Sequence, residues 1–212
     1  MTLSFNEMNF SFILITISAF LLGAIPFSPL IGHFILHKDI RCYGDGNPGA
    51  ANVFRAGNPV IGMLAVLLDI FKGVPVVYFA ARNSNLSANQ LLLVAFAAIM
   101  GHAFSPLLRL RGGKAVAVTF GGLIGLMRPE LLVPFAVAAI IGLIVLENHS
   151  WVMLLAPMVT LVCVLMNRAG VGALIFMGAI LLLYLFKHAR DLTGWPRPRN
   201  WIYRRLSSRR EV

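Results

Sequence analysis

Two glycine-bearing stretches carry residue types that could hold an anion. Residues 43–57 read YGDGNPGAANVFRAG, with Gly44, Gly46 and Gly49 at the spacing G-x-G-x-x-G, Asn47 and Asn52 among them and Arg55 close behind. Closely spaced glycines let consecutive backbone N–H groups turn inward as a nest, and an arginine adds a planar fork of donors. Residues 109–118 read RLRGGKAVAV and place Gly112 and Gly113 before Lys114 where an apolar helix should start. Free N–H groups, the helix dipole and the ammonium then favour the same guest. That guest is a phosphate. The plainer readings are tight turns at the glycines and an interfacial anchor at Lys114.

The elements around these stretches decide which phosphate chemistry is open. Asp69 lies about 20 residues beyond Gly49, where a dinucleotide fold would keep its ribose-binding acid. That fold also needs a β-strand before the glycines, and here the apolar run 10–36 and the charged turn HKDIRC precede them, while Asp69 sits inside LAVLLDIFKG. The nucleotide reading therefore fails. RLRGGKAVAV is no Walker loop either: Leu108 stands where the first glycine belongs, and Ala115 replaces the magnesium-binding Ser/Thr.

With 58% hydrophobic and 12% charged residues over 212 positions, and a mean hydropathy of +0.82, the sequence is that of an integral membrane protein. Residues 1–190 read as one membrane domain and 191–212 as a basic cytoplasmic or interfacial tail. Residues 10–36 are too long for the apolar part of a signal peptide and read as a span. Cys42 and Cys163 offer neither metal-ligand spacing nor a disulfide framework. Breaks at polar and Pro/Gly-rich points leave seven apolar segments, at about 10–36, 59–81, 90–107, 115–127, 131–146, 151–166 and 170–186, so the expected fold is all-α with seven transmembrane helices, some short or broken. Pro26 and Pro29 are expected to bend the first. If the odd-numbered connections and the C-terminus share one side, the other side holds only Arg82, Arg128 and Arg168, and Lys72 alone falls inside a span. The positive-inside rule then puts the N-terminus outside and both glycine loops in the cytoplasm.

Four segments in order, LLGAIPFSPLIG (21–32), GDGNPGAANVFRAGN (44–58), LLDIFKG (67–73) and GHAFSPLLRLRGGKAVAV (101–118), resemble the acyl-phosphate-dependent glycerol-3-phosphate acyltransferases of bacteria, the PlsY family. The resemblance implies a multi-pass enzyme of the inner (plasma) membrane. It would transfer a fatty acyl group from acyl phosphate to the sn-1 hydroxyl of glycerol 3-phosphate, a step of phospholipid synthesis, without metal, nucleotide or other cofactor. It places Asn52, Arg55, Lys114 and His188 in the catalytic set, and Gly44, Asp45, Gly46, Asn47, Gly49, Gly112 and Gly113 around substrate phosphate. The sequence departs from the family at three places: Asp45 stands for a serine, Asp191 for an asparagine three residues after the late histidine, and no serine-containing third motif is recognisable in ENHSWVMLLAP (147–157). Two carboxylates beside a phosphate dianion oppose its binding. The alternative to an acyltransferase is therefore a catalytically silent homologue, serving as a lipid-binding or structural subunit of a larger membrane complex.

The remaining candidates have plain readings. Asp69 and Lys72, three apart inside a span, are expected to form a structural ion pair, because unpaired charges there are costly. His102 and His188 are each read as either a packing residue or an ordering donor, and Glu147, Asn148 and His149 as polar loop residues. The tail RPRNWIYRRLSSRR interleaves basic residues with Trp201 and Tyr203 and is read as an anchor on anionic lipid rather than a nucleic-acid site. No histidine has an aspartate five residues on, as the His-x4-Asp acyltransferases require. A transporter for a phosphorylated solute would show a repeat relating two halves, and none is visible. Cysteines introduced near Asn83 and near Arg204 are expected to react with a membrane-impermeant maleimide from opposite sides; reaction from one side would put the helix count off by one.

Overall fold

The computed structural model describes residues 5–192 and 194–200. Among them regular structure is helical: no strand forms, and an isolated β-bridge joins Leu146 to Pro198. Most of the basic tail, from Trp201 onward, lies outside the described residues. The stretches Phe10–Phe34, Pro59–Asn83, Ala88–Leu108, His149–Met166 and Val171–Asp191 are long and apolar enough to cross a bilayer, and Val116–Leu126 and Pro129–Val145 are shorter apolar helices. This is a multi-pass membrane protein, with helical matter in each of the seven apolar segments of the sequence.

The chain divides into two compact units, residues 1–128 and 129–212. The first contains α1 (Phe5–Ala24), α2 (Phe27–Phe34), α3 (Ala50–Ala56), α4 (Pro59–Phe71), α5 (Pro75–Asn83), α6 (Ala88–Ala103) and α7 (Val116–Leu126). Local chemistry sets their starts. Asn58 accepts from the Ile61 N–H at 3.0 Å ahead of Pro59, and Ser87 and Gln90 form a reciprocal capping box before α6. Pro26 separates α1 from α2, as expected, and a second break at residues 72–74, ahead of Pro75, separates α4 from α5. α3 was not expected. It is a seven-residue helix inside what the sequence suggests is loop.

Packing in this unit relies on small residues. A Cβ on Gly23 would lie 2.0 Å from the Ala98 carbonyl oxygen, and one on Gly101 2.0 Å from that of Phe20, so the backbones of α1 and α6 touch. Helices in lipid gain no hydrophobic drive from pairing and depend on such close fit. On α4, Gly62, Ala65 and Asp69 are buried while Val60, Met63, Leu67 and Phe71 stand outward at helical spacing, as a lipid-facing stripe should. The second unit holds α8 (Pro129–Val145), α9 (His149–Met166) and α10 (Val171–His188), with α9 packed against both others.

Asp69 and Lys72 form the expected pair, with Nζ 2.9 Å from Oδ1 and both side chains buried. Each has a second anchor. Lys72 Nζ donates to the Ile25 carbonyl at 2.7 Å, and Ser28 Oγ donates to Asp69 Oδ2 at 2.7 Å. Pro29 makes this possible: it stands four residues after Ile25 and has no N–H, so the Ile25 carbonyl lacks its usual helical donor and is open to the ammonium. The pair therefore ties both helix breaks together. Lys72→Met, which leaves Asp69 buried and uncompensated, is expected to destabilise the protein by about 3–5 kcal/mol. The double variant Asp69→Asn/Lys72→Met should recover most of that loss, read by denaturation in detergent micelles.

Candidate active site

The first glycine loop closes around the Asp45 carboxylate. Gly44 and Gly46 adopt left-handed φ of 57° and 71°, which glycine takes without strain, and the Gly46 N–H donates to the Tyr43 carbonyl at 3.1 Å. A side chain at Gly44 would run into Arg55 and Asn52. Asp45 Oδ1 accepts from the Asn47 N–H at 3.2 Å and from Asn52 Nδ2 at 2.9 Å. Asn52, wholly buried on α3, also donates to the Asn47 carbonyl at 2.8 Å and accepts from Arg55 Nη1 at 2.7 Å. Arg55 Nη1 stands 3.6 Å from Asp45 Oδ1. From the second loop, Lys114 Nζ reaches Asp45 Oδ2 at 2.5 Å. Partial burial pushes the Asp45 carboxyl upward, but the Lys114 ammonium, the Asn47 N–H and the Asn52 amide outweigh it and hold the group at about 2.

The carboxylate expected to repel a phosphate is thus already seated among the donors assigned to one. Gly49 precedes α3 with an extended backbone, its Cα side against the Asn47 amide, and lends no left-handed turn. The nest of inward N–H groups is narrower than the sequence reading held, because the Gly46 and Gly113 N–H groups are bonded to carbonyls and the Asn47 N–H is the one that faces the carboxylate.

The second loop is built on His102, at the end of α6. The Gly113 N–H donates to the His102 carbonyl at 3.1 Å; a Cβ on Gly112 would lie 2.0 Å from that oxygen, and one on Gly113 2.2 Å from His102 Nε2. The two glycines serve close approach. α7 starts only at Val116, after Ala115 in a left-handed conformation, so Lys114 extends from the loop rather than from the first turn. His102 Nδ1 lies 3.8 Å from Asp69 Oδ1. A small pocket is lined by Ser28, Asp69, Lys72 and His102 at its polar wall, with Pro48 from the first loop and Gly113 from the second.

In the second unit His188 is buried, with Nδ1 3.0 Å from Ser150 Oγ, and Asn148 Nδ2 donates to the Asp191 carbonyl at 3.1 Å. Ser150 was missed. No serine-containing third motif is recognisable in the sequence of 147–157, yet the structure sets Ser150 against the late histidine, and Asn148 Oδ1 accepts the Ser150 N–H at 2.8 Å at the start of α9. The signal was an Asn-x-Ser cap opening an apolar helix.

The fold and these loops define a polytopic membrane protein that seats an oxyanion between two cationic side chains. A family model described as glycerol-3-phosphate acyltransferase matches residues 13–195. The chain is 36% identical over 182 residues to a glycerol-3-phosphate acyltransferase of Staphylococcus aureus, covering 82% of this chain and 85% of that one. It is 43% identical over 115 residues to glycerol-3-phosphate acyltransferase 2 of Lactobacillus acidophilus, a match spanning about half of each, 51% and 52%. Among solved structures it is similar to the glycerol 3-phosphate form of PlsY (YgiH), an integral membrane glycerol 3-phosphate acyltransferase, with a TM-score of 0.79 and 25% identity over 91% of this chain and 98% of that one. The lysophosphatidic acid form of that protein gives a TM-score of 0.74. The chain belongs to the glycerol-3-phosphate acyltransferase family.

Since a methyl at Gly112 must displace backbone, Gly112→Ala is expected to cost about 1–3 kcal/mol of stability. Gly178→Ala, where the added carbon meets nothing within 4 Å on α10, should be neutral or stabilising by up to about 1 kcal/mol. Thermal unfolding of the two variants in detergent checks the contrast.

Proposed function

We propose that this chain moves a fatty acyl group from acyl phosphate to the sn-1 hydroxyl of glycerol 3-phosphate, on the cytoplasmic side of the plasma membrane. The observation that carries the reading is the Asp45 carboxylate held by Lys114, Arg55, Asn52 and the Asn47 N–H, an oxyanion seated by donors from both glycine loops of a chain of this family. In this reading the five long spans and two short helices are seven crossings with the N-terminus outside. The loops then open on the leaflet where a soluble phosphorylated acceptor meets a lipid-borne donor.

Acyl phosphate is a mixed anhydride. The acceptor oxygen attacks the carbonyl carbon, the bond from that carbon to the phosphate oxygen breaks, and the departing phosphate takes the proton of the hydroxyl. A good leaving group leaves the protein two tasks, orientation and stabilisation of negative charge. Lys114 and Arg55 neutralise phosphate oxygens. Asn52 fixes the direction of the Arg55 fork, and the glycines at 44, 46, 49, 112 and 113 let the loops come together. In the second unit, the Ser150 hydroxyl 3.0 Å from Nδ1 sets the orientation of the His188 ring.

Purified protein incubated with palmitoyl phosphate and glycerol 3-phosphate should release lysophosphatidate and inorganic phosphate in equal amounts. Lys114→Ala should lose roughly 10²–10³ in kcat/KM while unfolding at the wild-type temperature. Undiminished turnover in that variant would remove Lys114 from the site; no transfer by the folded wild type would turn the reading toward a silent lipid-binding subunit.

A further inference from the structure

We propose that Asp45 is a specificity-determining residue that makes binding of the acceptor's phosphate proton-coupled, so that the phosphate seats together with one proton. The inference rests on the acyltransferase reading for the identity of the ligand. Two cations serve the site, Lys114 from the second loop and Arg55 from α3, and Asp45 cancels one of them. The other charged groups of the first loop's approach are engaged elsewhere: Arg41 pairs with Asp39 at 2.8 Å, and Lys38 Nζ donates to the Ala56 carbonyl at 2.8 Å. Lys114, Arg55 and Asp45 together therefore offer one net positive charge to a group that carries two negative charges above its second ionisation, near pH 6.

Asp45 is not free to turn out of the way. Its Oδ1 accepts the Asn47 N–H that closes the turn and the Asn52 amide that anchors the loop on α3. Removing the carboxylate from the seat takes apart the loop that forms the seat. A phosphate entering among the same donors brings its oxygens against Asp45, and two oxyanions in contact are accommodated by a proton shared between them. The proton comes from solvent and lies between a carboxylate oxygen and a phosphate oxygen; no bond of the substrate changes.

Proton uptake gives the expected signature its sign. When binding takes up one proton, affinity falls about tenfold for each pH unit of rise, over the range in which both free partners are deprotonated. Titration calorimetry of full-length protein in detergent with glycerol 3-phosphate, run at pH 7.5 in two buffers of different ionisation enthalpy and then across pH 7 to 9, reads both quantities. Wild type should take up close to one proton and weaken about tenfold per unit. Asp45→Asn keeps the shape and the acceptor oxygen of the turn while removing the charge; it should take up none, show a flat profile, and bind about 10- to 100-fold more tightly at pH 8. Equal uptake in the two proteins, no uptake in wild type, or weaker binding by Asp45→Asn overturns the proposal. Acyl transfer by the same preparations separates the two failures: transfer without proton uptake sinks this inference alone, and absence of both transfer and binding sinks the acyltransferase reading with it.

Discussion

A lysine and an aspartate buried in an apolar helix bundle must satisfy each other, and the first unit is arranged around that requirement. Lys72 and Asp69 lie one turn apart at the end of α4, but neither is content with the other alone. The ammonium takes the Ile25 carbonyl, which Pro29 leaves without its helical donor, and the carboxylate takes the Ser28 hydroxyl and faces His102. Two broken spans and the end of a third are thereby fixed to one point. The second loop stands on His102, and Lys114 is carried by that loop. The position of the Lys114 cation thus goes back to an ion pair within an apolar span.

The surface site repeats the logic with different stakes. Asp45 is more open than Asp69, and its partners come from a turn, a short helix and a distant loop rather than from one helix. Exposed pairs of this kind contribute little to stability. What the Asp45 pairing supplies is geometry, because it brings together two segments about 70 residues apart in the sequence around one anionic group.

The spans were legible because apolar runs of membrane length have few other uses, and the Pro26 break because proline cannot continue a helix. The second break, at Lys72, lay inside a run that hydropathy treats as uniform, although Gly73 and Pro75 mark it. α3 escaped because seven residues of AANVFRA between two glycines carry no period long enough to read. At the candidate site, residue types singled out two loops that meet through Lys114 and Asp45, but spacing says nothing of which distant side chains meet. Asp45 was read as an intruder on a phosphate because the position of Lys114 beside it is a tertiary fact. Ser150 was passed over for the same reason: its partner, His188, lies a whole helical hairpin away.

The seam between α1 and α6, where the carbonyls of Ala98 and Phe20 lie against Gly23 and Gly101, has a bearing on temperature. A soluble core is held largely by withdrawal of apolar surface from water, a force that fades on cooling and leaves a large heat-capacity change as its mark. Bringing these two helices together exchanges lipid tails for helix backbone, so almost no water is released. The contact is held by atoms touching, which depends little on temperature. Chilling weakens a water-driven core but leaves this seam as it was, whereas one added methyl group at either glycine forces the two helices apart.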